Sequence, residues 1–407
     1  MDLFDKFAAL AGARNSLLAV GANPFDVRME RVRSATEAVI EGRDVILFGT
    51  NNYLGLTFDP VCMAAAQEAV TAEGTGTTGS RIANGNYAAH QDLEAAIAGF
   101  LKRRAAMVFS TGYQANLGTI AGLAGPDDIL LIDADSHASI YDGCRLSGAT
   151  IGRFRHNDPS DLDKRLGRLE NGGNVLVVVE GLYSMLGDCA PLAEFAEVKT
   201  RHGAYLMVDE AHSVGVYGEN GRGNAEDEGV EDAVDFVVGT FSKSLGAIGG
   251  FAASNHPDFE LLRLASRPYM FTASPSPSNV ASVKAALGLI EASDVHRKAL
   301  WRNARALHQG ISDLGFSICA GLGPIIAIRF DDTEQAFGAW RGLLDGGIYT
   351  NLAIPPGTPN GISMLRCSVS AAHSEAQVEA IIGAFSQLAG NLGSETKRNA
   401  EATSAPA

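Results

Sequence analysis

The sequence predicts an α/β fold: a large domain built on a mainly parallel sheet, followed by a smaller α+β C-terminal domain. Three observations predict it. Short apolar runs alternate with helical segments over roughly residues 45–275. Each run ends in unusual polar chemistry. Beyond a Ser/Pro-rich break the pattern changes to helices flanking two strand-like segments.

The runs are Met107–Phe109, Ile129–Ile132, Val175–Val179, Tyr205–Val208 and Phe236–Val238. They are continuously apolar rather than alternating, which indicates strands covered on both faces by helices. Their downstream ends read Ser110 to Tyr113, Asp133 to His137, Glu180 to Ser184, Asp209 to His212, and Thr240 to Lys243. Open α/β sheets bind ligands at the carboxyl ends of their strands, so five such ends predict one crevice. The break is Ser274-Pro275-Ser276-Pro277-Ser278. Helical patterns follow over Val280–Ala292 and Arg297–Leu314, then strand-like Ile325–Phe330 and Met364–Val369, then a helix over Glu375–Leu388. The expected division is an N-terminal helix and extension (1–45), a large domain (46–275), a small domain (276–392) and a disordered, polar, Ala/Ser-rich tail (393–407).

Composition narrows the class. In 407 residues, 46% are hydrophobic and 19% charged, as in an ordinary globular enzyme. A net charge of −15 argues against nucleic acid and anionic lipid as electrostatic partners. The five cysteines form no C-x-x-C pair, which fits reduced thiols in a cytoplasmic protein and predicts no metal site. The N-terminus lacks the pattern of a signal peptide. Leu3, Phe4, Phe7 and Leu10 have helical spacing, and the amphipathic helix they predict is expected to pack on another subunit, with peripheral membrane contact as the alternative. No stretch of about 18 apolar residues is present to span a bilayer.

Lys243 and Asp209 carry the chemistry. A lysine after one strand and an acid at the end of another are what pyridoxal 5'-phosphate (PLP) requires. The lysine forms an imine with the cofactor aldehyde, and the acid keeps the pyridine nitrogen protonated so that the ring accepts electrons. Asp209-Glu210-Ala211-His212 also occurs in nucleic-acid-dependent ATPases. Those need a phosphate loop, and Val237 and Ser242 stand where its glycines belong. His212 can reach the cofactor's phenolate oxygen, with Ser184 a second candidate. His137 can stack on the pyridine face. Thr240 and Ser242 offer hydroxyls to a phosphate, and Gly112 and Tyr113 open a helix whose N–H groups suit an anion. Arg366, inside an apolar strand, suits an amino-acid carboxylate. Gly74 to Gly79 matches G-x-G-x-x-G but follows a helical segment, so it is read as a flexible loop near the active site with Ser80 and Arg81.

With these residues in place the chain resembles the α-oxoamine synthases, PLP enzymes of the aspartate-aminotransferase fold (fold type I) that condense an amino acid with an acyl-CoA. The matching stretches are Asn51 to Gly55, Gly74 to Arg81 with His90, Ser110 to Asn116, Asp135 to Gly143, Arg155 to Asp158, Glu180 to Asp188, Val208 to Ser213, Gly239 to Ser244, and Leu365 to His373. Two of them, around His137 and Lys243, are most similar to the members that use L-serine and a long-chain acyl-CoA.

The resemblance implies roles: Lys243 as Schiff-base lysine, His137 stacking, Asp209 and His212 on the ring nitrogen and phenolate. It implies Gly112, Tyr113, Thr240 and Ser242 on the phosphate, with Thr272 reaching in from a partner subunit. Asn52 and Arg366 would lie near the substrate, in a site built at a homodimer interface. Two positions depart from the serine-using members. Ile354 precedes Pro355-Pro356 where those tend to carry Arg, and Asn51 stands where they tend to carry Tyr. Glycine or alanine with another acyl thioester is therefore the alternative. Simple transamination and a non-catalytic regulatory subunit are further readings.

Overall fold

The computed structural model describes residues 2–19, 23–169 and 173–404. Its main sheet has seven strands: β1 (Ala105–Phe109), β2 (Ile129–Asp133), β3 (Thr150–Phe154), β4 (Val175–Glu180), β5 (Tyr205–Asp209), β6 (Phe236–Thr240) and β7 (Gly250–Ser254). Their spatial order is β1-β7-β6-β5-β4-β2-β3. β7 runs antiparallel to β1 and β6, and the other pairs are parallel. Side chains alternate between two cores. Val108, Leu131, Val177, Val179 and Val208 face one, while Met107, Leu130, Ile132, Val178 and Met207 face the other. Burial on both faces is why these strands read as continuous apolar runs.

Five of the seven strands were expected from those runs. β3 is an edge strand in which only Phe154 is buried, so it carries little apolar signal. β7 is fully buried yet made of Gly, Phe, Ala, Ala and Ser. Small residues are required there: a Cβ on Gly250 would lie 2.6 Å from the Cα of Gly112. Strand propensity cannot signal a strand chosen for thinness.

The C-terminal part pairs Ile325–Phe330 with Ser363–Ser368 in a four-stranded sheet that also contains Ser317–Ile318 and Asn351–Ala353. A third sheet joins Met29–Val32, Glu37–Ile40 and Arg43–Leu47 to Ile348–Tyr349, the last pair parallel. Residues 29–47 are thus built together with C-terminal residues rather than as a separate extension. The Ser/Pro break also marks something other than a domain boundary. Ser276 caps the helix Pro277–Ala292, and that helix packs on the large-domain helices Pro60–Glu73 and Ala88–Phe100. Ser followed by Pro is a helix-start signal, and here it is only that.

The expected tail is corrected as well. The last helix runs Glu375–Ser404, and only 405–407 lie outside the described residues. Ala, Glu, Lys and Arg are good helix formers, and no Gly or Pro interrupts residues 394–404. At the other end, Asp5–Phe7 and Ala8–Ala19 are helical, and Leu3, Phe4, Phe7 and Leu10 are exposed. Among the described residues no helix is long and apolar enough to cross a membrane.

Candidate active site

Where the strands end at their carboxyl side, a cavity of about 300 Å³ gathers Gly112, Tyr113, Asn116, His137, Ser139, Glu180, Asp209, His212, Thr240, Ser242 and Lys243. The parallel register dictates this. Glu180 and Asp209 are directly paired across β4 and β5, and Asp209 pairs with Val238 on β6. Glu180, Asp209 and Thr240, at the ends of three adjacent strands, therefore face the same space.

Lys243 is almost enclosed. Burial lowers its pKa to about 8 against the opposing pull of Asp209 and Glu180, so a free amine is accessible near neutrality. Each oxygen of the Asp209 carboxylate is held by one donor: Ala211 N–H donates to Oδ1 (2.9 Å) and Asn116 Nδ2 to Oδ2 (2.7 Å). Burial raises the Glu180 pKa well above the usual carboxylate range, and the charge of Asp209 adds to this. His212 is pushed well below its ordinary pKa by burial and then by Lys243. A neutral imidazole results, with Nδ1 2.7 Å from the hydroxyl of Tyr53.

The helix Gly112–Leu123, α1, is capped by Thr111, whose hydroxyl accepts from Gln114 N–H (3.1 Å). Its first turn closes on the β6 end. A Cβ at Gly112 would come within 2.7 Å of the Thr240 Cβ, so only glycine leaves a cradle there. Thr240 and Ser242 hydroxyls stand 2.9 Å apart beside that turn. Helix N–H groups with two hydroxyls suit a phosphate monoester. An enclosed lysine and an anchored carboxylate suit the aldehyde and ring nitrogen of a pyridoxal. The residues present fit PLP.

Four of the expected residues do not line this cavity, although Arg366 lies close enough for its charge to lower the pKa of Lys243 and of His212. The Ser184 side chain does not line the cavity; its carbonyl accepts from Arg366 Nε (2.6 Å). Arg366 is buried, also donates to Ser368 (2.6 Å), and lies 3.3 Å from Tyr53 Oη. Asn52 Nδ2 donates to Thr57 (2.7 Å), leaving its Oδ1 buried without a partner. Thr272 accepts from Gln114 Nε2 of its own chain (3.2 Å). The 74–79 segment does not line the cavity either. Thr77 bonds to Ser274, and Arg81 makes a buried bidentate pair with Glu94 (2.7 and 3.1 Å). A buried charge pair pins the segment that glycine content had marked as flexible.

Sequence reasoning gave no role to Asn116, Ser139, Glu180 or Tyr53. Glu180 had a usable signal as the first polar residue after β4. Asn116 lies one turn beyond Gly112 and so on the same face of α1. Ser139 and Tyr53 carry no such mark.

The model of the family described as "Aminotransferase class I and II" matches residues 43–385. Among curated proteins, the serine palmitoyltransferase of Caulobacter vibrioides is 54% identical over 394 residues, covering 97% of this chain and 98% of that protein. The serine palmitoyltransferase of Sphingomonas paucimobilis is 52% identical over 392 residues, 96% and 93% of the two. Among solved structures, a Lys-to-Ala variant of the S. paucimobilis enzyme bound to PLP and myriocin superposes with a TM-score of 0.95 at 51% identity, covering 97% of this chain and all of that one. The Sphingomonas wittichii serine palmitoyltransferase gives 0.95 at 52%, with 97% and 99% covered. A match of this length, on a chain whose strand ends converge as described, places the protein in the class I and II aminotransferase family and, within it, among the α-oxoamine synthases alongside the bacterial serine palmitoyltransferases.

Proposed function

We propose that the protein is a PLP-dependent serine palmitoyltransferase. It condenses L-serine with palmitoyl-CoA to give 3-oxosphinganine, CoA and carbon dioxide, the first step of sphingolipid synthesis. One observation carries the reading. Lys243, Asp209 and His137 line a single cavity in a chain that follows serine palmitoyltransferases over 97% of its length.

Bound PLP supplies an electron sink conjugated to the serine α-carbon. The chain's own residues do the rest. Asp209 would meet the ring nitrogen with a carboxylate already held by Asn116 and Ala211. The α1 N-terminus, Thr240 and Ser242 would hold the phosphate. His137 would lie against the ring face, and His212, steadied by Tyr53, would face the phenolate. Lys243, with its pKa near 8, takes the α-proton and returns it at the same carbon. Arg366 and Asn52 bind the amino acid. Overall, the serine α-C–H and C–carboxylate bonds break. A C–C bond forms to the thioester carbonyl carbon, CoA leaves as thiolate, and the α-carbon regains a proton.

The exposed Leu3, Phe4, Phe7 and Leu10 support a homodimer in which this helix covers a partner and Thr272 reaches the partner's cavity. A cytoplasmic location with peripheral membrane contact for delivery of a long-chain product completes the proposal.

Product mass spectrometry on PLP-loaded protein tests it, with palmitoyl-CoA and serine, glycine or alanine in parallel. A serine-dependent C18 amino ketone with CoA release is expected. Condensation with glycine or alanine alone would replace the substrate, and Ile354 and Asn51 would be the first positions to examine.

A further inference from the structure

The polar atoms around His137 have only one consistent set of proton positions. Asp209 can only accept, and one Asn116 Nδ2 hydrogen goes to its Oδ2 at 2.7 Å. The Oδ1 of Asn116 is buried without a partner, so the amide is oriented by the acceptors on its nitrogen alone. Its second hydrogen goes to Ser139 Oγ at 2.9 Å. Ser139 is fully buried, and its own proton is directed to His137 Nδ1 at 2.7 Å. The Ser139 backbone N–H, which can only donate, points at the same nitrogen from 3.3 Å because His137 caps the helix Ala138–Ser147. Two donors converge on Nδ1, so Nδ1 carries a lone pair. Glu180 fixes the backbone, accepting from His137 N–H at 2.5 Å.

We propose that Asn116 and Ser139 are positioning residues. They form a directed hydrogen-bond relay from Asp209 to His137 that holds the imidazole as its Nε2–H tautomer and aims that N–H donor into the cavity. Two features support this. His137 lines the cavity, and no described residue partners its Nε2. Burial lowers the His137 pKa, with Lys243 adding to that effect and Asp209 opposing it, which favours the neutral ring. The relay joins the residue assigned to the cofactor nitrogen to the one assigned to its face, so the two are set as a unit. What the N–H meets, an anionic group of an amino-acid substrate, rests on the function proposed above; the tautomer does not.

The test is nitrogen NMR on PLP-loaded protein with ¹⁵N-labelled histidine rings, the His137 signals being identified by their loss in His137→Asn. A pyridine-like shift at Nδ1 and a pyrrole-like shift at Nε2 are expected. Ser139→Ala should move both toward intermediate values, since the backbone N–H remains, and lower kcat roughly three- to tenfold, the loss of one hydrogen bond. KM for the amino acid should change less than kcat. Ser139→Thr, which keeps the hydroxyl, should restore the shifts and the rate. A protonated Nδ1 or an imidazolium in the wild type would overturn the proposal, as would Ser139→Ala with unchanged shifts and kcat. Should Ser139→Ala not fold, the wild-type spectrum alone decides. Absence of condensation product with the expected tautomer would sink the proposed function and leave the relay standing.

Discussion

A buried ammonium is costly unless carboxylates share its surroundings, and Lys243 has two, Asp209 and Glu180. Burial still dominates and leaves the group near 8, between a structural lysine and a catalytic base. Lys243→Ala removes the only lysine that lines the cavity among the described residues. Product formation should fall by at least about 10²–10⁴-fold, the range for a lost acid–base group. The visible absorbance of lysine-linked cofactor should vanish while the fold, read by circular dichroism, is kept. Turnover near the wild-type rate would refute the assignment. Lys243, Asp209, His137 and His212 were legible because each is a rare residue type at a strand end. Asn116 and Ser139 were not: a buried amide or hydroxyl acquires meaning only from what it faces.

At the scale of elements, the site depends on how closely α1 approaches the sheet. β7 lies against its first turn, and Gly250 and Gly112 make that contact through backbone atoms. In Gly250→Ala the new Cβ would meet the Gly112 Cα at 2.6 Å and its N at 2.7 Å, and a backbone cannot swing away as a side chain can. The variant should lose about 1–3 kcal/mol in urea denaturation. It should also bind PLP more weakly, because the displaced N–H groups are the proposed phosphate donors. Gly288→Ala is the control. It lies in the helix Pro277–Ala292 with nothing within 4 Å of its Cβ position, and should stabilise by up to about 1 kcal/mol. A Gly250→Ala protein as stable as wild type would mean the contact is not tight. Strands packed on both faces announced themselves through apolar runs. β7 did not, because its task is to be thin.

At the scale of the molecule, His156 ties the β2 end to the loop after β4. Its Nδ1 lies 2.8 Å from Asp133 and its Nε2 2.7 Å from Asp188, while its ring meets Tyr183 edge-on at 4.5 Å. The same loop accepts Arg366 through Ser184, so it also anchors a strand of the C-terminal sheet. Burial alone would lower the His156 pKa, but the hydrogen bonds its ring donates to both carboxylates outweigh it and raise the value to about 10. A raised folded-state pKa stabilises fully below the unfolded value, about 6.5, and the benefit is lost as pH rises through the folded one. Wild-type stability should therefore decline from pH 7 to 10, relative to His156→Gln, by at most about 1.4 kcal/mol per pH unit. At pH 7 the variant should be less stable by about 1–3 kcal/mol, with Asp133 left short of a donor. Parallel pH profiles for the two proteins would show that His156 is not held charged.

By itself, the sequence determined the α/β class, the two-sided burial of five strands, the convergence of their ends and Lys243 as the lysine proposed to form the imine. Periodicity and residue chemistry are local, and a parallel sheet turns local strand ends into one place. Only the tertiary structure decided that Ile46 and Leu47 pair with Ile348 and Tyr349, that Arg81 is locked to Glu94, that Ser184 serves Arg366 through its carbonyl, and that Asn116 and Ser139 link Asp209 to His137. Each is a contact between groups far apart in the chain or a choice among equivalent polar partners. Its energy comes from who is buried beside whom, which no run of neighbouring residues encodes.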